Sequence, residues 1–467
     1  MKAIKYLMIG AMLTLSQTVT VAQTEYEPQA NAIYKVLKEN PNNPNAAKDK
    51  VKAYEKAYKK NPAAMVSLGN AFLGAGLLDK AVYYADMALK KNKNFGDAFV
   101  LKGDVEQMKD DGGQAAMWYQ NAMSVDPKNP NGYLRYANVY RKDINTFDQT
   151  MQQLKQQIPN FPVEAESGHS FFTIGNATQA YKYYSQANAS SMDEKYFYEY
   201  MLSAFFCNKR EEALDLAKQG ASKYANTAYK DYFARYAMTC AADLGKMDDA
   251  AKYAEMLSNS ELELSANDLQ YIGQVMCSQG KYQEAIDKLN EALKKDEKAY
   301  RCYQYLSEAY NGLGDEDKAL SYSEKYISLD NNARPSDFAK LANIYGQKAE
   351  DGIDVDANLE KGMGVYNIMA EKFPELAGYA HLQQGNMAFK LSKNEIAMNK
   401  WQVVIDELWD KSNRTEQQNG NLVQALRLLG AHLWGEKGLD VAAPYMEKLV
   451  QLAPNDEYAV RYLETKK

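Results

Sequence analysis

Residues 266–299 constrain this chain more than any other stretch. Leu269, Ile272, Gly273 and Met276 recur at helical spacing and make one apolar stripe. A turn follows at Ser278–Gly280, then a second stripe with Ala285, Leu289 and Ala292. Gly273 and Ala285 are small where two antiparallel helices would cross. The unit reads as a helical hairpin of about 34 residues. It returns at 62–95 (Met65, Leu68, Gly69, Phe72, Ala81, Ala85, Ala88) and at 96–129 (Phe99, Gly103, Ala115, Tyr119, Ala122, Pro127). It returns again at 300–333 (Tyr303, Leu306, Tyr310, Ala319) and at 423–456 (Leu426, Leu429, Gly430, Leu433, Ala442, Met446, Leu449, Pro454). One match would be a chance helix pair. Recurrence at a fixed period predicts a stack in which each unit packs only on its neighbours.

The spacing of these residues resembles the tetratricopeptide repeat family. That family places a small residue on the first helix and alanines on the second at these offsets. The resemblance implies an all-α fold, a right-handed α-solenoid of helix-turn-helix hairpins. It also implies a concave groove lined by the first helices, used to bind protein.

The chain divides by this reading into five parts. Residues 1–22 are a signal peptide: Lys2 and Lys5 precede the apolar run Tyr6–Leu15, and Thr20-Val21-Ala22 offers small residues before a cut after Ala22. The run is too short for a spanning helix, which needs about 20 apolar residues. Residues 23–61 form a degenerate, polar N-terminal capping unit. Residues 62–333 hold an array of repeats, in which the second helix of the 130–163 unit is Gln-rich and lacks the alanine signature. Residues 334–456 continue the array, with an acidic insertion at 350–356 (EDGIDVD) and a polar loop at 411–421. Residues 457–467 give a C-terminal capping helix. The chain is therefore expected to be exported, in the periplasm or associated with the cell envelope. Its Asn-, Lys- and Tyr-rich composition is similar to that of envelope proteins of the Bacteroides group.

Charge and motifs exclude several functions. The formal net charge is −6, with no basic footprint of the kind nucleic acid needs. Cys207, Cys240, Cys277 and Cys302 invite a disulfide reading for an exported chain. The repeat frame instead puts each in a different consecutive first helix at a different height. Adjacent helices lie about 10 Å apart and a disulfide needs Cα atoms within about 7 Å, which favours buried thiols. His169, His381 and His432 fall in separate repeats, far apart in sequence, and no phosphate-binding glycine loop or His-Glu-x-x-His occurs. Asp351, Asp354 and Asp356 supply oxygens but lack the spacing of a calcium loop. The remaining carboxylates read as solvated charges on helix faces. No enzyme, cofactor or metal is expected.

Function is thus expected on the solenoid surface, as a non-catalytic protein-interaction scaffold. By repeat register the groove candidates in the first half are Asn70, Asp104, Asn138, Arg141, Phe172, Tyr198 and Phe205. Those in the second half are Gln270, Gln274, Gln304, Asn343 and Asn386. Side-chain amides can donate to and accept from an extended peptide backbone, and aromatics can anchor a partner. The partner is a protein or peptide, with no nucleic acid and no membrane span in the mature chain. Two rival readings are a glycan-binding protein of the SusD-like kind and an accessory subunit of an envelope transport or secretion complex. The four tryptophans are dispersed, which weighs against the glycan reading.

Overall fold

The computed structural model describes residues 25–466. The expected signal segment, with Gln23, Thr24 and Lys467, lies outside the described residues. The described chain is all-α: 25 α-helices and two single-turn 3-10 helices, and no strand among the described residues.

The helices follow as hairpins in chain order. They begin with α1 (Glu27–Glu39) and α2 (Lys48–Tyr58), α3 (Pro62–Gly74) and α4 (Leu78–Lys91), α5 (Gly96–Met108) and α6 (Gly112–Val125). Next are α7 (Pro130–Val139) and α8 (Ile144–Gln157), α9 (Val163–Phe172) and α10 (Ala177–Tyr184), α11 (Glu194–Phe206) and α12 (Arg210–Lys223). Then come α13 (Tyr229–Asp243) and α14 (Met247–Ser258), α15 (Ala266–Ser278) and α16 (Tyr282–Lys295), α17 (Arg301–Gly312) and α18 (Glu316–Leu329). The chain closes with α19 (Pro335–Glu350) and α20 (Val355–Lys372), α21 (Ala377–Lys390) and α22 (Asn394–Leu408), α23 (Glu416–Lys437) and α24 (Leu439–Leu452), and α25 (Glu457–Thr465). Contacts group these into two compact units, one ending at Tyr236 and the other starting at Ala237.

Most hairpins turn through a residue of left-handed backbone. After α15, Gly280 has φ 72°, and the Lys281 amide donates 2.9 Å to the Met276 carbonyl. That bond spans the left-handed residue and satisfies a helix-end carbonyl, as a C-terminal glycine cap does. After α5 the same job falls to Asp110 (φ 65°), with Asp111 N–H donating 3.0 Å to the Glu106 carbonyl.

The two helices of a hairpin then cross at a small residue facing a large one. A Cβ built on Gly103 would meet the Tyr119 ring at 2.3 Å, on Gly385 the Trp401 ring at 2.5 Å, and on Gly273 the Leu289 side chain at 2.6 Å. Each glycine makes room for the large side chain of its own second helix. Interiors packed at this density leave no slack for an added methyl.

Three segments depart from the expected boundaries. In the hairpins after α6, α7 and α9 have 10 residues each and α10 has 8, against 13 in α15 and 14 in α16. The turns arrive early, so α8 buries Phe147, Thr150, Met151 and Leu154. The acidic insertion is partly absorbed into longer helices: α19 runs 16 residues and α20 18, leaving 351–354 as the turn. The polar stretch 411–421 is helical from Glu416, because Thr415 and Gln418 form a capping box that starts a 22-residue helix.

Candidate interaction surface

The polar groove candidates are mostly engaged within the chain. The Asp104 carboxylate accepts from Tyr119 Oη at 2.8 Å and from Arg135 Nε at 3.0 Å. Asn386 Oδ1 accepts from Trp401 Nε1 at 3.1 Å, and Asn343 Oδ1 from Tyr366 Oη at 3.2 Å. In all three the first-helix acceptor takes the polar tip of a ring from its own second helix. Asn138 Oδ1 accepts from Ser170 Oγ. Arg141 donates to the carbonyls of Asn138 and Ser170 at 3.1 and 3.0 Å. Gln270 and Gln274 are buried, Gln304 is half-buried, and the Gln274 carbonyl oxygen has no hydrogen-bond partner among the described residues. Asn70 and Phe172 are half-buried. An amide row open to a peptide is therefore not what these positions form.

In the unit ending at Tyr236 they make a ladder instead. Arg135 of α7 reaches Asp104 of α5. Ser170 of α9 reaches Asn138 of α7. His169 Nδ1 lies 2.7 Å from Glu199 Oε2 of α11, and Tyr196 Oη donates 2.9 Å to Glu166 of α9. Each rung joins successive first helices, one repeat apart. Tyr184 Oη adds a 2.5 Å bond to Glu199. Glu166, His169 and Glu199 are 6%, 7% and 6% exposed, which corrects the expectation that such carboxylates are solvated. Burial pushes the Glu166 carboxyl above its ordinary range. With no opening to water, this cluster ties helices rather than meeting a substrate. Its sequence signal was the one-repeat offset between Glu166 and Tyr196 and between His169 and Glu199.

Next to the ladder, α11 and α13 carry an aromatic patch. Tyr198 packs against Tyr229, Phe233 and Tyr236 with ring centroids 5.5, 5.4 and 6.1 Å apart. Phe205 meets Tyr236 at 5.0 Å and Phe206 at 5.7 Å, with the Arg210 guanidinium 4.0 Å over the Phe205 ring. Phe206 is 61% exposed and Tyr232 37%. The structure thus brings Tyr198 and Phe205 into one patch with residues from α13 that sequence reasoning left out.

In the unit starting at Ala237, Tyr271 Oη donates 2.8 Å to Asp243. Between α15 and α18 the packing is mainly apolar, built on Leu269, Leu289, Ala292, Cys302, Leu306 and Ala309. Cys277 and Cys302 are buried, and burial pushes each thiol up to about 12. In the acidic segment, Asp351 accepts from Gln347 at 2.9 Å and Asp356 pairs with Lys393 at 2.7 Å. Among the described residues no three His, Cys, Asp or Glu side chains are placed to hold a metal, and no helix is long and apolar enough to cross a membrane.

The sequence model of the tetratricopeptide repeat matches residues 40–97 and 277–334. No curated protein matches the chain. Among solved structures, the C-terminal part of a TPR repeat-containing protein from Cytophaga hutchinsonii is 17% identical with a TM-score of 0.44, covering 57% of this chain and 99% of its own. A tetratricopeptide repeat protein from Parabacteroides merdae is 14% identical with a TM-score of 0.31, covering 54% and 99%. PilF of Pseudomonas aeruginosa is 15% identical with a TM-score of 0.28, covering 50% and 90%. The chain is a helical-repeat protein of stacked antiparallel hairpins. Its hairpins at 40–97 and 277–334 match the tetratricopeptide repeat.

Proposed function

We propose that this protein is a non-catalytic interaction scaffold of the cell envelope, reached by export, and that a protein partner docks on the aromatic patch of α11 and α13. One observation carries the reading: Phe206 and Tyr232 stand exposed beside Tyr198, Phe205 and Tyr236 on a first-helix face. Large aromatics bring much contact area at low entropic cost and dominate interface energetics. The polar ladder beside the patch is already paired within the chain, so the aromatics are the part with contacts left to make. The Lys2, Lys5 and Tyr6–Leu15 pattern supports export.

The test is crosslinking in the native envelope followed by mass spectrometry, with Phe206→Ser and Tyr232→Ser combined. The variant is expected to keep the melting temperature of the parent and lose its crosslinked partner. Undiminished capture would move the docking site elsewhere on the scaffold.

A further inference from the structure

A second surface lies away from the aromatic patch, in the short hairpins. Helix α8 meets α9 over much less surface than α4, α6 or α16 meet the helices that follow them. The early turns cause this, since α7, α9 and α10 are too short to close the gap. What remains is a groove of about 550 Å³ lined by α8, the start of α9, and α10. Its floor includes Met151, Val163 and Tyr183, and its wall is a row of glutamines on α8: Gln149, Gln152, Gln153 and Gln156. All four glutamines are exposed. Among the described residues none of their amides has a hydrogen-bond partner, whereas the groove candidates on the first helices are largely paired off.

We propose that this groove takes an extended, uncharged polypeptide segment, held through its main chain. A side-chain amide carries a donor and an acceptor, as a peptide group does. Gln149 and Gln153 are four residues apart on one helix, a rise of about 6 Å. In an extended chain, alternate residues are about 6.6 Å apart and present N–H and C=O toward the same side. Two successive glutamines thus match alternate residues of a strand, and Gln156 carries the row on.

The charges of the groove favour a neutral occupant. Lys155 pairs with Glu164, Asp148 accepts from Tyr183 Oη at 2.5 Å, and the Lys182 ammonium sits 5.1 Å over the Tyr183 ring. Two carboxylates balance two ammonium groups. A glycan would want an open ring to stack on. Tyr183 offers none: its ring is stacked on Phe171 at 5.5 Å and is 7% exposed.

The experiment is fluorescence anisotropy of the full chain with short labelled peptides that alternate Ser or Thr with Val. The same peptides N-methylated at alternate residues lose backbone donors and keep their side chains. Binding is expected, weakened about tenfold or more by Gln149→Ala with Gln153→Ala, and abolished by N-methylation. The two glutamines are exposed, so the variant should melt like the parent. No binding of any neutral peptide would overturn the proposal. So would equal binding of the N-methylated set or of the glutamine variant. Binding of neutral linear oligosaccharides that is lost in the glutamine variant would replace it with a glycan site.

Discussion

The hairpins from α5 to α11 and those from α15 to α18 share one plan and hold together differently. In α15 to α18 the hairpin crossings and the junction between hairpins are mainly apolar, with the Ser307–Ser323 hydroxyl pair between α17 and α18 as an exception. From α5 to α11 the first helices are joined by buried polar pairs, from Asp104–Arg135 to Glu199–His169. Apolar junctions tolerate small sliding, because dispersion and burial have no direction. Polar junctions demand their partners, because an orphaned buried charge costs more than the pair contributes. Side chains that look like a binding row in sequence are, in this region, the joints of the scaffold.

The largest break in that contrast should come from Asp104→Ala. Asp104 and Arg135 side chains are 9% and 17% exposed, so the guanidinium would be left without its carboxylate. A loss of about 3–5 kcal/mol is expected by denaturant unfolding, and a loss under 1 kcal/mol would mean water takes the place of Asp104. Gly273→Leu attacks the apolar region at its tightest crossing, with Leu289 already within 2.6 Å of a Cβ. It should cost about 1–3 kcal/mol, and an unchanged melting temperature would contradict the crossing. Asn386→Ala removes the acceptor for Trp401 from a half-buried site that water can reach. About 1 kcal/mol is expected.

The fourth test changes a slope rather than a level. Burial raises the Glu166 carboxyl above its unfolded value. Its stabilising contribution is therefore full below about pH 4.3, the unfolded value, and is lost as pH rises through the higher folded value. Glu166→Gln has no proton to lose. Its melting temperature should decline less than that of the parent as pH is raised from about 4. Parallel curves would show that the Tyr196 bond holds Glu166 ionised throughout.

The hairpins were legible in the sequence because their signal is local. A small residue, a turn glycine and a second apolar stripe recur within one repeat. The capping box at Thr415 and Gln418 went unread, because the polar character of 411–421 masked the helix start. The ladder was hidden for a different reason. Glu166 and Tyr196 sit on different repeats, and nothing near either one separates a buried carboxylate from a solvated one. Nor did Asp104, Asn343 and Asn386 announce that rings on their own second helices would occupy them. The aromatic patch was half visible: Tyr198 and Phe205 stood out, while Tyr232 and Tyr236 joined them only through the packing of α13 on α11.

The ladder also governs how the chain comes apart. A stack of repeats with interchangeable apolar junctions frays from its ends, one unit at a time, because each junction is independent of the next. Here α9 holds Asn138 of α7 through Ser170 while giving His169 and Glu166 to α11, so opening either side strands a polar group on the other. Amide protons in α5, α7, α9 and α11 should consequently exchange with solvent at one common rate, as a single cooperative block, while those in α15 to α18 exchange in graded steps.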